Sequence, residues 1–258
     1  MEHNPDLAYN ELIQKIRQLG LLASCSAVLS WDEQTYMPPG GALHRAEQMA
    51  LLAGLHHERA TDPRIGELLE VLAGSSLTDD PESVQAVNIR ESTRSYKRQT
   101  LLPRSLVEEL ARATSLAQQA WVAARRASDF ARFQPALARI VGLKKEEGAC
   151  LLPSLASTDE PASSPYDSLL DTFEPGARAA DLSRLFGALQ SELSPLVQTI
   201  SRAAQRSSAR DLPRRAYPVD RQKVLGEMAA GALGFDFQRG RLDVTAHPFC
   251  TGIGPGDT

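Results

Sequence analysis

The sequence contains few of the residues that build sheets or disulfide frameworks. Aromatic residues make up only 5% of the 258 positions, whereas Ala and Leu are abundant, and this balance favours helices over strands. The three cysteines, Cys25, Cys150 and Cys250, are widely spaced and form no C-x-x-C motif. We therefore expect free thiols in a reducing, cytoplasmic setting. No apolar run in the sequence is long enough to cross a bilayer.

An excess of positive charge is also missing. The chain has 28 Lys and Arg residues against 32 Asp and Glu residues, which gives a formal net charge of -4. This balance argues against nucleic acid and against an anionic membrane surface as partners. Arg202, Arg206 and Arg210 recur at four-residue spacing, but no aromatic residues alternate with them. We interpret them as a solvated helix face.

Several catalytic signatures are absent. The sequence has no G-x-S-x-G elbow for a nucleophilic serine, and the glycines at 252–256 are followed by no helix that could bind a phosphate. The run 57–61 reads H-E-R-A-T, so it begins like the zinc motif H-E-x-x-H. Thr61 occupies the position of the second ligand, and a metal needs both imidazoles on one helix face. We therefore predict an exposed cluster at a helix end here, and no metal site.

Apolar residues repeat at three- and four-residue spacing along most of the chain, which predicts helices. The clearest stripes lie at about 12–27 and 182–200, a stripe of small residues at about 106–124 suits close helix packing, and the last helix is predicted to bury Leu225 and Met228. The predicted fold is mainly α, a helical bundle-like single domain over residues 1–258. Helices are predicted at about 4–30, 42–73, 84–100, 103–124, 129–148, 165–174, 182–200 and 219–233.

The spacing of apolar residues changes near the C-terminus. Apolar and polar residues alternate over 242–247, which predicts a short strand, and Pro248 ends it because proline has no N–H to donate. The segment 235–258 is thus a predicted strand followed by a His-Pro-Phe loop. Asp243 and His247 would share the polar face, where the carboxylate could orient the imidazole toward a substrate or a water. A histidine hydrogen-bonded at a strand end is the alternative, and both stay open.

Two further motifs have structural and functional interpretations. The run 31–41 contains two prolines and two glycines, so we interpret it as a turn between antiparallel helices, packed by Trp31 and Met37. Asp167 and Asp171 lie four residues apart and could form a carboxylate pair for acid–base work. Acidic residues near a helix start are common because they oppose the macrodipole, and we favour this second interpretation.

Several blocks of the sequence resemble the carboxypeptidase Taq family of zinc metallocarboxypeptidases. The last segment matches G-R-x-D-x-x-x-H-P-F and then begins the D-x-R-x-T motif with Asp257 and Thr258. Residues 31–40 match W-D-x-x-T-x-M-P-x-G and are followed by an Arg-Ala-Glu helix at 45–47. Residues 166–176 match Y-D-x-L-L-D-x-x-E-P-G. The resemblance extends over essentially the whole chain, but it covers only the N-terminal portion of a family member.

The resemblance implies a largely helical fold of the neurolysin type, with a deep cleft and a small sheet beside it. Family members are cytoplasmic homodimers that release C-terminal amino acids from peptides. Their zinc is held by two histidines of an H-E-x-x-H helix and by a downstream glutamate, with the glutamate of the helix as general base. The family motifs near the cleft correspond here to His247, Pro248, Phe249 and Asp257, and Asp243 lies in the same block.

The H-E-x-x-H helix is not in this sequence, and three hypotheses follow. The first is the N-terminal half of a metallocarboxypeptidase, which alone binds no zinc and is inactive. The second is a non-catalytic helical module that pairs with another protein. The third is an unrelated hydrolase that uses His247 and Asp243.

Overall fold

A computed structural model describes residues 4–155, 164–206, 216–245 and 250–254. In these ranges the chain is mainly helical, as predicted, with short 3₁₀ turns at Pro39–Gly41, Ser76–Thr78 and Leu152–Leu155. The described helices are α1 (Pro5–Thr35), α2 (Ala42–Ala60), α3 (Pro63–Ala73), α4 (Val84–Gln99), α5 (Arg104–Ala127), α6 (Phe130–Leu151), α7 (Pro165–Leu170), α8 (Ala179–Arg206) and α9 (Val219–Ala232). None of them is both long enough and apolar enough to cross a membrane.

Helix ends follow the local sequence closely. The Asn4 side chain accepts a hydrogen bond from the backbone N–H of Asp6 and caps α1, and Asp129 caps α6 in the same way. From the sequence, either Asn4 or Asp6 could cap the first helix and either Ser128 or Asp129 the later one, and the structure has Asn4 and Asp129 in these roles. The prediction of one helix over 42–73 was wrong, because Asp62 and Pro63 divide it into α2 and α3. Proline has no N–H for a helix interior, yet it fits the first turn of a new helix, which Asp62 caps.

The main core lies where α1 packs against α3 and α4. Leu12 of α1 is fully buried, as is Leu72 of α3, and Leu68 is nearly so. The predicted stripe of α1 is therefore confirmed at its first turns, where Leu12 is buried and Ile16 packs against the same cluster. The remaining buried members of the cluster are Ala8, Ile65, Leu69 and Ile89.

Small residues bring α2, α5 and α6 close together. Ala46, Ala50 and Gly54 are buried along α2, and Ala117 and Ala124 are buried along α5, so the predicted small-residue stripe is confirmed. Ion pairs link the exposed edges of these helices. Arg112 of α5 contacts Glu47 of α2 at 2.8 Å, and Arg139 of α6 contacts Glu109 of α5 at 2.9 Å.

Gly54 is expected to reject even a methyl group. An added Cβ would overlap Glu108 Oε1 and lie 2.9 Å from Glu108 Cγ. Relieving that overlap would disturb the pair between Glu108 and Arg104 at 2.7 Å. We expect Gly54→Ala to lower the free energy of unfolding by about 1 kcal/mol, because overpacking outweighs the gain in helix propensity.

The matched control is Gly142→Ala on the exposed face of α6, where nothing lies within 4 Å of an added Cβ. This variant is expected to gain about 0.5–1 kcal/mol. Urea denaturation of both variants tests the difference, and an equal gain in stability at the two positions would contradict it.

The chain divides into two compact units, one formed by Met1–Ala156 with Asp243–Thr258 and the other by Ser157–Leu242. Within the second unit, the predicted helices α8 and α9 form. The prediction that α9 buries Leu225 and Met228 was wrong, since 58% and 68% of these residues is exposed. The predicted apolar seam of α8 is exposed as well. Its exposed members are Leu185, Leu189, Leu193, Leu196 and Ile200, and the neighbouring Phe186 and Val197 are exposed too.

The predicted strand over 242–247 is not supported. The described part of it, 242–245, forms no strand, and the described residues of the chain contain none elsewhere. Asp243 and Thr245 instead hydrogen-bond the end of α1. In an extended chain, residues two positions apart point to the same side. Asp243 and Thr245 both face the end of α1, and this contact explains the alternation of polar and apolar residues. Residues 246–249 lie outside the described residues.

Candidate functional site

Asp243 is held by two aromatic side chains at the end of α1. The Trp31 indole Nε1–H donates to Asp243 Oδ2 at 2.9 Å, and the Tyr36 hydroxyl donates to Asp243 Oδ1 at 3.3 Å. The two aromatic rings meet edge to face with their centroids 5.6 Å apart. Each oxygen of the carboxylate therefore accepts a hydrogen bond from a different ring of the same helix end.

The next residue of this helix end, Asp32, is held from a second helix. Arg45 Nη2 of α2 lies 2.6 Å from Asp32 Oδ2, and its other terminal nitrogen donates to the Leu29 carbonyl. The Arg45 side chain is only 11% exposed. A guanidinium that is paired on two sides in a mostly buried position fixes how the end of α1 lies against α2.

Glu33, on the opposite side of the same turn, packs into the bundle. The Ser115 hydroxyl of α5 donates to Glu33 Oε1 at 2.5 Å. Burial raises the pKa of the Glu33 carboxyl, while the hydrogen bond from Ser115, the charge of Arg45 and the hydrogen bond from Gln119 oppose that rise. This carboxyl therefore holds a proton more readily than an exposed glutamate does.

An open cavity of about 430 Å³ lies beside this turn, between the end of α1, α5 and α6. Its wall combines polar and aromatic side chains. Gln34 belongs to that wall, and the Gln34 carbonyl accepts a hydrogen bond from Thr245 Oγ1 at 3.3 Å. The C-terminal segment therefore meets the helix at the edge of the cavity. The other lining residues are Thr114, Ala117, Gln118, Trp121, Phe133 and Ile140.

Among the site residues predicted from the sequence, Asp243 lies in this cluster. His247, Pro248, Phe249 and Asp257 lie outside the described residues.

The prediction that the 57–61 run forms an exposed cluster was wrong at its first position. His57 is only 5% exposed, and its Nδ1 lies 3.3 Å from Gln99 Oε1 of α4. Burial lowers the pKa of the neighbouring His56, and the charge of His57 adds to that effect. Thr61, at the position where a zinc motif has its second histidine, donates its hydroxyl to the His57 carbonyl at the helix end.

Asp167 and Asp171 act as caps of short helical turns. Asp167 accepts hydrogen bonds from the backbone N–H groups of Ser164 and Ala179, each at 2.7 Å, and from the Ser164 hydroxyl. Asp171 accepts from the backbone N–H of Gly176 at 2.9 Å. The hydrogen bonds to Asp167, of which the one from Ala179 has the largest effect, lower the pKa of its carboxyl. The contacts favour a structural role for this pair over acid–base work, but only Asp167 lies near a helix start as predicted, because Asp171 is the C-terminal cap of α7.

Sequence reasoning missed the contacts that join the motifs. Nothing in the pattern paired Arg45 with Asp32, Ser115 with Glu33, or Trp31 with Asp243, which lies 212 residues away along the chain. The only available signal was that the block at 31–40, the Arg-Ala-Glu run at 45–47 and the last block occur in one sequence. Spacing along the chain carries no information on such a distant contact, whereas helix packing creates it.

A comparison with known families places the chain in the class of metallopeptidases. The sequence model of the carboxypeptidase Taq (M32) metallopeptidase family matches residues 11–258. The chain therefore belongs to the carboxypeptidase Taq family, and the resemblance found in its motifs is confirmed.

Individual relatives agree along nearly the whole chain. Thermostable carboxypeptidase 1 of Thermus thermophilus is 44% identical over 255 residues, which cover 98% of this chain and 50% of the relative. The solved structure called BsuCP superimposes with a TM-score of 0.82 at 28% identity and covers 97% of this chain and 48% of its own. The M32 carboxypeptidase from Deinococcus radiodurans R1 gives a TM-score of 0.76 at 30% identity, with coverage of 97% and 48%. The chain thus spans about half the length of the relatives it matches.

The described residues do not fit the metal that a metallopeptidase needs. Across 4–155, 164–206, 216–245 and 250–254, no three His, Cys, Asp or Glu side chains come together as ligands of one ion. A peptidase site requires three protein ligands and an open position for water. We therefore derive no catalytic step through a metal from these residues.

Proposed function

We propose that this chain is the N-terminal half of a zinc metallocarboxypeptidase that releases C-terminal amino acids from peptides. The family match over residues 11–258, at about half the length of the relatives, carries this proposal. In it, residues 1–258 fold as one helical domain of a larger neurolysin-type enzyme. The zinc is held by an H-E-x-x-H helix and a glutamate of the other half, where it lowers the pKa of its bound water.

The part of this chain is then to shape the substrate cleft. His247, Pro248, Phe249 and Asp257 would form the portion of the cleft wall that precedes the zinc helix, and Asp243 would begin that segment. We further propose that the complete enzyme is a cytoplasmic homodimer, as the resemblance implies.

The exposed apolar face of α8 supports the proposal that another polypeptide covers this helix. Seven large apolar side chains between Leu185 and Ile200 are 44–61% exposed. A contiguous apolar face of this kind is unusual on a monomer and is typical of a surface that another polypeptide covers. In the proposed function that polypeptide is the second half of the enzyme. In the alternative, a non-catalytic helical module, it is an unrelated protein.

Reconstitution separates the hypotheses. Purified residues 1–258 are mixed with the C-terminal half of the Thermus thermophilus relative, and the release of C-terminal amino acids from a peptide is measured with and without added zinc. We expect activity only from the mixture with zinc, because the ligands and the cleft wall come from different halves. The separate halves are the negative controls, and the intact Thermus relative is the positive control for the assay.

Each other outcome supports a different hypothesis. Peptide release by residues 1–258 alone, in the presence of a chelator, would favour the unrelated hydrolase. Failure of the two halves to associate, with this chain folded, would favour the helical module. Stoichiometric zinc retained by this chain alone would contradict the assignment of the ligands to the other half.

A further inference from the structure

The cavity between the end of α1, α5 and α6 has an uncharged wall, since none of the described residues that line it carries a charge. Trp121 of α5 and Phe133 and Ile140 of α6 form its apolar part. The side chains of Gln34 and Gln118 belong to its polar part. Its volume of about 430 Å³ falls in the range of roughly 300–1,000 Å³ that is usual for small-molecule sites, and apolar walls with a few polar groups are usual for them too.

Polar contacts hold the helices around the cavity in place. Glu33 of α1 accepts a hydrogen bond from Ser115 of α5 at 2.5 Å, and Arg139 of α6 lies 2.9 Å from Glu109 of α5. Glu33, Ser115 and Arg139 are each the direct chain neighbour of a lining residue. Ala117, which also lines the cavity, is only 4% exposed. The cavity is therefore largely preformed, and this lowers the cost of ordering it around a ligand.

The absence of charge from the described wall decides which ligands fit the cavity. An ion that entered it would give up its water without meeting an opposite charge among these lining residues. The carboxyl of Glu33, the chain neighbour of Gln34, accepts its hydrogen bond from Ser115 instead. A neutral ligand is therefore favoured over an ion.

The two kinds of lining residue indicate a ring beside an amide. Aromatic rings attract one another in edge-to-face or offset arrangements, so Trp121 and Phe133 favour a further ring. A primary amide has two donors and an acceptor, which match the C=O and N–H of a peptide group. In the part of the chain that the structure describes, no hydrogen bond to another residue occupies the side-chain amide of Gln34 or Gln118. An aromatic residue within a peptide supplies both the ring and the peptide groups.

We propose that this cavity binds one uncharged aromatic residue of a peptide. The ring lies against Trp121 and Phe133, and the peptide groups bond the amides of Gln34 and Gln118. The peptide is the substrate of the proposed carboxypeptidase, and that identification rests on the proposed function. Binding itself does not, since the described lining residues all belong to one compact unit of this chain. The bond from Thr245 to the Gln34 carbonyl places the cavity beside the segment with which the proposed cleft wall begins.

The first experiment titrates residues 1–258 with N-acetyl-L-phenylalaninamide. The chain has two tryptophans, so two indole N–H signals are expected by NMR, and Trp121→Phe identifies the signal from the cavity. That signal should shift with a Kd of about 1 mM, which is the affinity of a ligand of about 15 heavy atoms at ordinary ligand efficiency. N-acetyl-L-alaninamide lacks the ring, and N-acetyl-L-phenylalanine carries a charged carboxylate. Each should bind at least about tenfold more weakly.

Two variants test the two kinds of contact. Gln118→Leu keeps the size of the side chain and removes the amide, and it should weaken binding roughly fivefold. Thr114→Phe adds a ring at an exposed lining position, and it should weaken binding at least about tenfold by occupying the cavity. Gln14→Leu is the matched control, because it makes the same change at an exposed position of α1 outside the described wall, and it should keep the wild-type Kd.

Three results of the titration would overturn the site. Equal affinity for the phenylalanine and alanine amides would mean that no ring is bound. A wild-type Kd in Thr114→Phe would mean that the probe binds elsewhere, and a wild-type Kd in Gln118→Leu would remove the amide from the site. Circular dichroism reports whether each variant keeps its helices, and if Thr114→Phe loses them, Gln118→Leu decides.

The second experiment uses the enzyme reconstituted with the Thermus half. Its substrates are alanine peptides in which a single phenylalanine occupies successive positions before the released residue. We expect phenylalanine at one of these positions to raise kcat/KM about tenfold over the all-alanine peptide, mainly through a lower KM. Thr114→Phe should reduce that ratio to about one, and Gln14→Leu should keep it.

The two experiments fail separately. An active mixture with the same kcat/KM for every peptide would overturn the substrate as the occupant of the cavity, and it would favour an aromatic side chain of the second half in that place. An inactive wild-type mixture would count against the proposed function, while the titration of residues 1–258 would still decide whether the cavity binds the ring.

Discussion

Replacing Leu12 by alanine is expected to lower the free energy of unfolding by about 2–5 kcal/mol. Leu12 is 0% exposed and lies in the cluster that joins α1 to α3 and α4. Its partners Leu68 and Leu72 sit on a short helix that packs on both α1 and α4, so they have little freedom to close a cavity. The loss then combines the transfer free energy of the missing methyl and methylene groups with the cavity they leave.

Leu43→Ala on α2 is the matched control, since the same chemical change falls on a residue that is 74% exposed. We expect it to change stability by no more than about 0.5 kcal/mol. Urea denaturation followed by circular dichroism measures both variants. A loss below about 1 kcal/mol for Leu12→Ala would mean that the cluster can collapse around a missing side chain, or that α1 contributes little to the core.

Replacing Asp167 by alanine is expected to destabilise the start of the second unit by about 3 kcal/mol. Asp167 is only 7% exposed. Its carboxylate accepts three hydrogen bonds, two from Ser164 and one from the Ala179 N–H. Alanine removes the capping box of α7 and leaves a partly buried N–H at the start of α8 without its acceptor. Exchange of the Ala179 amide measures the effect locally, and Glu192→Ala on the exposed face of α8 is the control.

The same interaction should depend on pH. The hydrogen bond from Ala179 is the main cause that lowers the pKa of Asp167 below its usual value. A carboxyl whose folded-state pKa is lowered adds stability above its unfolded pKa of about 3.9 and loses it as pH falls toward the folded value. Protection of the Ala179 amide should therefore fall below about pH 4 in the wild type. A wild-type profile that stays flat there, like that of Asp167→Ala, would contradict this assignment.

Much of the fold could be predicted from the sequence because helix formation is local. Caps at Asn4 and Asp129 and the stripe that begins at Leu12 depend on residues within a few turns of one another. The break at Asp62 and Pro63 was equally local, and the prediction of one continuous helix there was an error of interpretation. The family was also predictable, since motif blocks are matched by order and spacing.

The other errors fall where a distant segment decides the outcome. The 242–247 alternation predicted a strand, yet alternation states only that successive side chains point to opposite sides, and the segment uses one side to contact a helix. An amphipathic pattern predicted burial for α9, yet the pattern does not say whether a covering surface is present.

The sequence by itself determined roughly where most of the helices lie, that the chain is mainly helical, and that it belongs to the carboxypeptidase Taq family. Only the tertiary structure decided that Trp31 and Tyr36 hold Asp243, that Arg45 holds Asp32, and that His57 is buried. The physical reason is the distance along the chain over which each kind of interaction acts. Backbone hydrogen bonds and caps act over a few residues, whereas a side-chain pair 212 residues apart exists only after the helices have packed.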